Sequence, residues 1–169
     1  DGILEKDFII ELVICRDPDA YVSSRMAAEI AMMMVDQALE IRPQALEGAL
    51  GCHTPETLRA RREELRKFVF EGCILHNVGL LALGNLVRRI GRSWLEEEIE
   101  IFQYHVHIGQ SMLAQGSSTQ PYIPAALGHH SFYDGSAEGY PQGYGRQDDP
   151  NRSLTDFIFA AIYFMRITD

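Results

Sequence analysis

From Val22 to Ala38 the chain reads Val-Ser-Ser-Arg-Met-Ala-Ala-Glu-Ile-Ala-Met-Met-Met-Val-Asp-Gln-Ala. Val22, Met26, Ile30, Met33, Met34 and Ala38 recur there at intervals of four, four, three, one and four residues. That spacing places them on one face of an α-helix and fits no alternating strand. The helix is expected to follow the turn at Asp17-Pro18-Asp19, where an aspartate offers an N-cap, and to end near Ile41-Arg42-Pro43. The Met32-Met33-Met34 run has two readings, a soft, adaptable binding surface or core filling. Core filling is taken here, because methionine is a flexible gap-filler.

The segments around this helix read the same way. Residues 6–15 are a short apolar stretch whose periodicity is compatible with helix or strand. Thr54-Pro55-Glu56 is a helix start, with a capping hydroxyl, proline at the first helical position and an acid in the first turn. The helix it opens is charged from Arg59 to Lys67 and apolar from Phe68 to Leu75. Arg59, Arg61, Arg62, Arg66 and Lys67 form a basic patch suited to phosphate, but the interleaved Glu63 and Glu64 predict an ordinary salt-bridged surface. A further helical stretch runs from Gly79 to Ile90, with Gly84 as a point of kink or close approach. Ser93 is expected to cap the next helix, which carries Glu96, Glu97 and Glu98 near its positive end and continues through Ile99, Phe102 and His105. Ala125 to His130 reads as a short helix, and residues 131–151, rich in glycine, as a long ordered loop or lid. Phe157 to Met165 is apolar nearly all round, which predicts a buried helix with Asp156 at its start. No strand pattern is convincing, and the fold class is all-α.

With 169 residues and 46% hydrophobic content the chain can build one well-packed domain. A net charge of −9 argues against a surface for nucleic-acid polymers or anionic membranes. No apolar run reaches the roughly 20 residues of a bilayer span. Cys15, Cys52 and Cys73 include no Cys-x-x-Cys pair, so reduced thiols in the cytoplasm are expected, with Cys15 and Cys73 in apolar surroundings. The chain opens on Asp1 and is read as part of a longer protein.

The chemistry concentrates between His76 and Asp156. His76-Asn77-Val78-Gly79, His105-Val106-His107-Ile108-Gly109 and His129-His130-Ser131 each place histidine beside small or apolar residues. Imidazoles and a carboxylate drawn from separate helices suit Fe, Mn or Zn. Adjacent histidines on a helix point about 100° apart, so His129 and His130 can share a site only if it is polynuclear or lies at the helix end. Each of these residues also has a structural reading. His76 and His105 can be hydrogen-bonded core histidines, His130 a C-terminal helix cap, and Asp156 an N-cap. His107 reads as surface, and His53 has no partner in sequence.

These motifs, in this order, resemble the HD-GYP family, the branch of the HD metal-dependent phosphohydrolases that hydrolyses cyclic di-GMP. The resemblance covers about residues 19–160. The family's His-Asp-x-Gly-Lys is similar to His76-Asn77-Val78-Gly79-Leu80, and its His-Pro-x-x-Gly to His105-Val106-His107-Ile108-Gly109. Its paired histidines and Asp-Gly-x-Gly-Tyr-Pro loop are similar to His129-His130-Ser131 followed by Asp134, Gly135, Gly139, Tyr140 and Pro141. Its late metal-binding aspartate is similar to Asp156. The resemblance implies an HD-domain-like helical bundle with a long Gly-rich loop, residues 1–169 forming a single such domain. It also implies metal ligands at His76, His105, His129, His130 and Asp156, and a loop that engages GGDEF-type partner domains.

The departures carry as much information. The family's first histidine falls near Val22, its metal-bridging aspartate is Asn77, its substrate-contacting lysine is Leu80, and the glutamate after the paired histidines is Ser131. A neutral asparagine cannot bridge two cations as a carboxylate does, and leucine offers a phosphate nothing. The expectation is a degenerate member with one divalent ion (Fe, Mn or Zn) or none. Phosphodiesterase activity is then lost or weak, and the role is that of a signalling, interaction or nucleotide-binding module. The competing expectation is an active cyclic di-GMP phosphodiesterase working from a reduced metal site. A third is a structural relay with no ligand.

Overall fold

The structure, a computed structural model, describes residues 5–84, 92–136 and 138–168, with Arg146 described by its backbone alone. Its regular elements are all helical, and no strand occurs among the described residues. The eight α-helices described are α1 (Glu5–Arg16), α2 (Pro18–Ile41), α3 (Pro55–Ala60), α4 (Arg62–Leu75), α5 (Glu96–Gln103), α6 (His105–Leu113), α7 (Ile123–Gly128) and α8 (Arg152–Thr168). None is long and apolar enough to cross a membrane. The apolar stretch at 6–15 is helical rather than extended, and of the expected helix over Gly79–Ile90 only a 3₁₀ turn, Val78–Ala82, falls within the described residues. Residues 85–90 of that stretch lie outside them.

The chain divides into two compact units, one from Asp1–Pro18 with Leu75–Tyr144, the other from Asp19–Ile74 with Gly145–Asp169. In the second unit, α2 corrects the expectation drawn from its methionines. Its buried side is Ser24, Ala27, Ala28, Ala31, Val35 and Leu39, whereas Val22, Met26 and Met33 are 53–58% exposed. The buried side is richer in small side chains, and of the face expected to be core Ile30, Met34 and Ala38 are half-buried while the rest is exposed. At the flank of its buried face α2 is tied to α4 by Asp36, which takes Arg62 at 2.8 Å and also Arg66. Arg61 pairs with Glu64 and Lys67 with Glu71, so the basic patch is the salt-bridged surface expected of it.

Thr54 caps α3 as predicted, its Oγ1 accepting the Thr57 N–H at 3.3 Å. The long helix expected from there breaks at Arg61, whose guanidinium turns back to donate to the Leu50 carbonyl at 2.7 Å. Leu50 sits in the left-handed region at φ 50, and its N–H donates to Asn151 Oδ1 at 2.8 Å. Both of its backbone groups are thus held by side chains, which stabilises a conformation that leucine otherwise avoids.

The last helix begins at Arg152, four residues earlier than read from sequence. Asp156 is therefore one turn inside α8, 3.6 Å from Arg152, and is not its N-cap. Leu154, Ile158, Ala161, Ile162 and Met165 are buried, at roughly 1.5–3 kcal/mol for each large side chain. Tyr163, Phe164 and Ile167 are exposed, so the apolar circumference is buried on one side only.

In the first unit, α6 packs on the 3₁₀ turn Val78–Ala82 and on α7. Gly79 makes the closest approach: a Cβ there would run into the His105 carbonyl and stand 2.7 Å from the Gly109 nitrogen. Leu95 rather than Ser93 precedes α5, its N–H donating to Glu98 Oε2 at 3.0 Å. That bond, with Arg92 beside it, holds the Glu98 carboxyl below the ordinary glutamate range. Cys73 is fully buried and burial pushes its thiol up to about 12, whereas Cys15 is exposed, contrary to the apolar setting expected for it.

Candidate metal centre

Two helix ends build the centre. The helix expected to pass through His105 stops at Gln103, and a new one starts at His105 after Tyr104. The short helix before His129 stops at Gly128. Carbonyls in the last turn of a helix lack an intrahelical partner. Here each is taken by an imidazole three residues further on: His105 Nδ1 lies 2.7 Å from Phe102 O, and His129 Nδ1 lies 3.0 Å from Ala126 O. A carbonyl only accepts, so in both neutral rings the proton sits on Nδ1 and the lone pair on Nε2.

Those two Nε2 atoms face each other at 3.2 Å. His105 is completely buried and His129 is 9% exposed. Burial lowers the basicity of both rings, and for His129 the neighbouring His76, His130 and His105 lower it well below the ordinary histidine value. Sharing a proton between the two nitrogens is thus opposed, and two lone pairs left face to face repel. A Lewis acid between them removes the conflict.

His130 completes the set. Among the described residues, the imidazole, thiol and carboxylate groups close enough to share one ion are His105, His129 and His130, with ligand atoms within 4.8 Å of one another. Zinc at about 2.1 Å from each nitrogen spaces tetrahedral ligands about 3.4 Å apart. The three therefore form a group that one ion could share. His76 is 6% exposed and stands edge-on to His129, ring centroids 4.9 Å apart. The pair His129-His130 sits past the end of α7, the one geometry in which adjacent histidines can serve a mononuclear site.

The chain matches no family model, no curated protein and no solved structure.

The other predicted site residues distribute as follows. Asn77 follows His76 and lends its carbonyl to the Leu80 N–H at 2.9 Å. Ser131 Oγ donates to the Tyr140 carbonyl. Val22 and Asp156 belong to the second unit, on α2 and α8. His107 is half-buried beside Tyr104, with ring centroids 5.2 Å apart, outside the cluster. In the loop, Asp134 accepts the Ser136 N–H at 3.0 Å, which keeps its carboxyl below the usual aspartate range. Phe132, Tyr133, Asp134, Ser136 and Glu138 line a shallow depression of about 440 Å³. Pro141 is half-buried, and Gly135 adopts φ 74, which glycine tolerates without strain.

Three contributors escaped the sequence reading. The carbonyls of Phe102 and Ala126 carry no side-chain signature; only the helix breaks beside them mark their place. Phe102 also sets its ring 5.1 Å from His105 and is backed edge-on by Trp94 at 5.2 Å, an aromatic wall on the outer side of the imidazole.

Proposed function

We propose that this chain is a metal-binding module of degenerate HD-GYP type, holding one divalent ion of the Zn, Fe or Mn class on His105, His129 and His130. The observation that carries the proposal is the pair of converging Nε2 lone pairs, 3.2 Å apart in a buried pocket, each fixed by an Nδ1–H bond to a backbone carbonyl. Metal-bound histidines characteristically have their second nitrogen oriented in this way.

The proposed role is in cyclic di-GMP signalling, as a nucleotide- or partner-binding module with lost or weak phosphodiesterase activity. The motif order from His76 to Pro141 supports the family, and the ligand set supports the loss. A dinuclear hydrolytic centre needs a bridging group to hold its ions about 3.5–4 Å apart. The position expected to bridge is Asn77, and the group close enough to share one ion holds three neutral imidazoles and no carboxylate among the described residues. When bound, one divalent ion would act there as a Lewis acid toward a phosphate oxygen. The chain supplies orientation through the Phe102 and Ala126 carbonyls, and water exclusion through the buried His105 and His129. With leucine at position 80 it supplies no cation there for a second phosphate. The Gly-rich loop is the proposed partner surface, for which a GGDEF-type domain is the family precedent.

The experiment is incubation of the pure protein with cyclic di-GMP and Mn²⁺, Fe²⁺ or Zn²⁺, read as linear dinucleotide or GMP. Little or no turnover, with measurable nucleotide binding, is the expected result. Efficient metal-dependent turnover would contradict the loss of activity and favour a second reading, an active phosphodiesterase on a mononuclear site. One feature speaks for that alternative: three histidines leave a coordination position open, as in catalytic zinc sites.

A further inference from the structure

The loop that follows the histidine pair is tied back onto it. The Tyr140 ring stacks on His130 with centroids 4.3 Å apart and planes 17° from parallel, and stands edge-on to His105 at 6.2 Å. Its N–H donates to the His130 carbonyl at 3.1 Å, and its own carbonyl accepts Ser131 Oγ at 3.3 Å. Gly139 is buried in the same crossing: a Cβ there would stand 2.9 Å from the His130 carbonyl and 2.8 Å from the Phe132 nitrogen. The chain leaves His130 at Ser131 and is back beside it at Gly139 and Tyr140.

We propose that Tyr140 is a positioning residue for the metal centre, holding the His130 ring at ligand orientation and thereby coupling ion occupancy to the conformation of the 131–140 loop. The inference rests on the metal reading of the three histidines and adds the element that regulates them. His105 and His129 are oriented by carbonyls, and His130 lies between the stacked Tyr140 ring and the tilted His129 ring, 4.2 Å away. A stacked ring resists rotation of its partner, so its loss frees His130 to leave the ligand geometry. Outer-shell groups that orient a ligand by hydrogen bonds typically change metal affinity ten- to a hundredfold when replaced, and the stack is assigned an effect at the lower end of that scale. By linkage, what the loop contributes to ion binding, the ion returns to the loop. Phe132, Tyr133 and Asp134, exposed on that loop, are then presented in one arrangement when the ion is bound.

The test measures zinc affinity by calorimetry for the unaltered protein, Tyr140→Phe and Tyr140→Leu, together with hydrogen exchange of the residue-140 amide with and without zinc. Tyr140→Phe keeps the stack and should bind within about twofold of the parent, while Tyr140→Leu should bind about tenfold or more weakly. Zinc should slow exchange of the Tyr140 amide in the unaltered protein at least severalfold. Equal zinc affinity in Tyr140→Leu, or an exchange rate indifferent to zinc, would overturn the coupling while leaving the metal centre standing. No zinc binding by the unaltered protein would overturn both.

Discussion

His129 shows how much one residue's setting can be worth. A buried imidazole that resists protonation in the folded chain takes a proton freely when unfolded, so below the ordinary histidine pKa the unfolded state binds more protons and stability falls with pH. Each such histidine steepens the fall by up to about 1.4 kcal/mol per pH unit. His105 and His129 both have lowered folded values. The metal-free protein should therefore lose stability progressively as pH drops below about 6.5, and His129→Gln should flatten the profile in denaturant titrations from pH 7 to 5. A profile unchanged by that substitution would mean His129 is not held neutral. Leu50 makes a second residue-scale prediction. Leu46→Ala, in the core, should cost about 2–5 kcal/mol, whereas Leu50→Gly should cost less than about 1 kcal/mol, because glycine relieves a left-handed φ of 50 as the half-buried side chain is lost. Thermal melts of the two variants compare them directly. The histidines themselves were legible from their spacing. The tautomers that turn two Nε2 atoms toward each other were not, because they depend on backbone carbonyls freed by helix breaks at Tyr104 and after Gly128.

At the scale of elements, helix class was readable almost everywhere and helix faces were not. The Thr54 cap was legible because capping is local chemistry. The choice between the two apolar sides of α2 was not, because both have helical spacing and the outcome depends on what packs against them. The alanine side is buried and the Val22, Met26 and Met33 side is exposed. Met26→Gln and Met33→Gln should each change stability by less than about 0.5 kcal/mol. Ala31→Leu, forced into a fully buried position, should cost about 1–3 kcal/mol. Equal effects in urea titrations would return the methionines to the core. The start of α8 differs for a related reason: Arg152 to Thr155 carries little apolar signal, so the sequence places the start at Asp156. The long stretch after Thr54 was read as one helix because no proline or glycine marks Arg61, where the break is held by a side-chain bond to the Leu50 carbonyl.

At the scale of the whole molecule, the all-α class followed from periodicity, whereas the family resemblance carried by the histidine motifs is matched by no family model, curated protein or solved structure. Among the described residues, His105, His129 and His130 of the five expected ligands lie close enough to share one ion, with His76 alongside, and Asp156 lies on α8 in the second unit. The central claim is that these three side chains hold one ion. The most direct measurement is the metal content of the protein purified without added metal, followed by zinc titration of the apo form, each repeated on His130→Ala, chosen because His130 is only half-buried and its loss should spare the fold. The account predicts one ion per chain in the unaltered protein and none in the variant, with helicity retained in both. No bound ion in the unaltered protein, or one ion bound equally well by the variant, would contradict it.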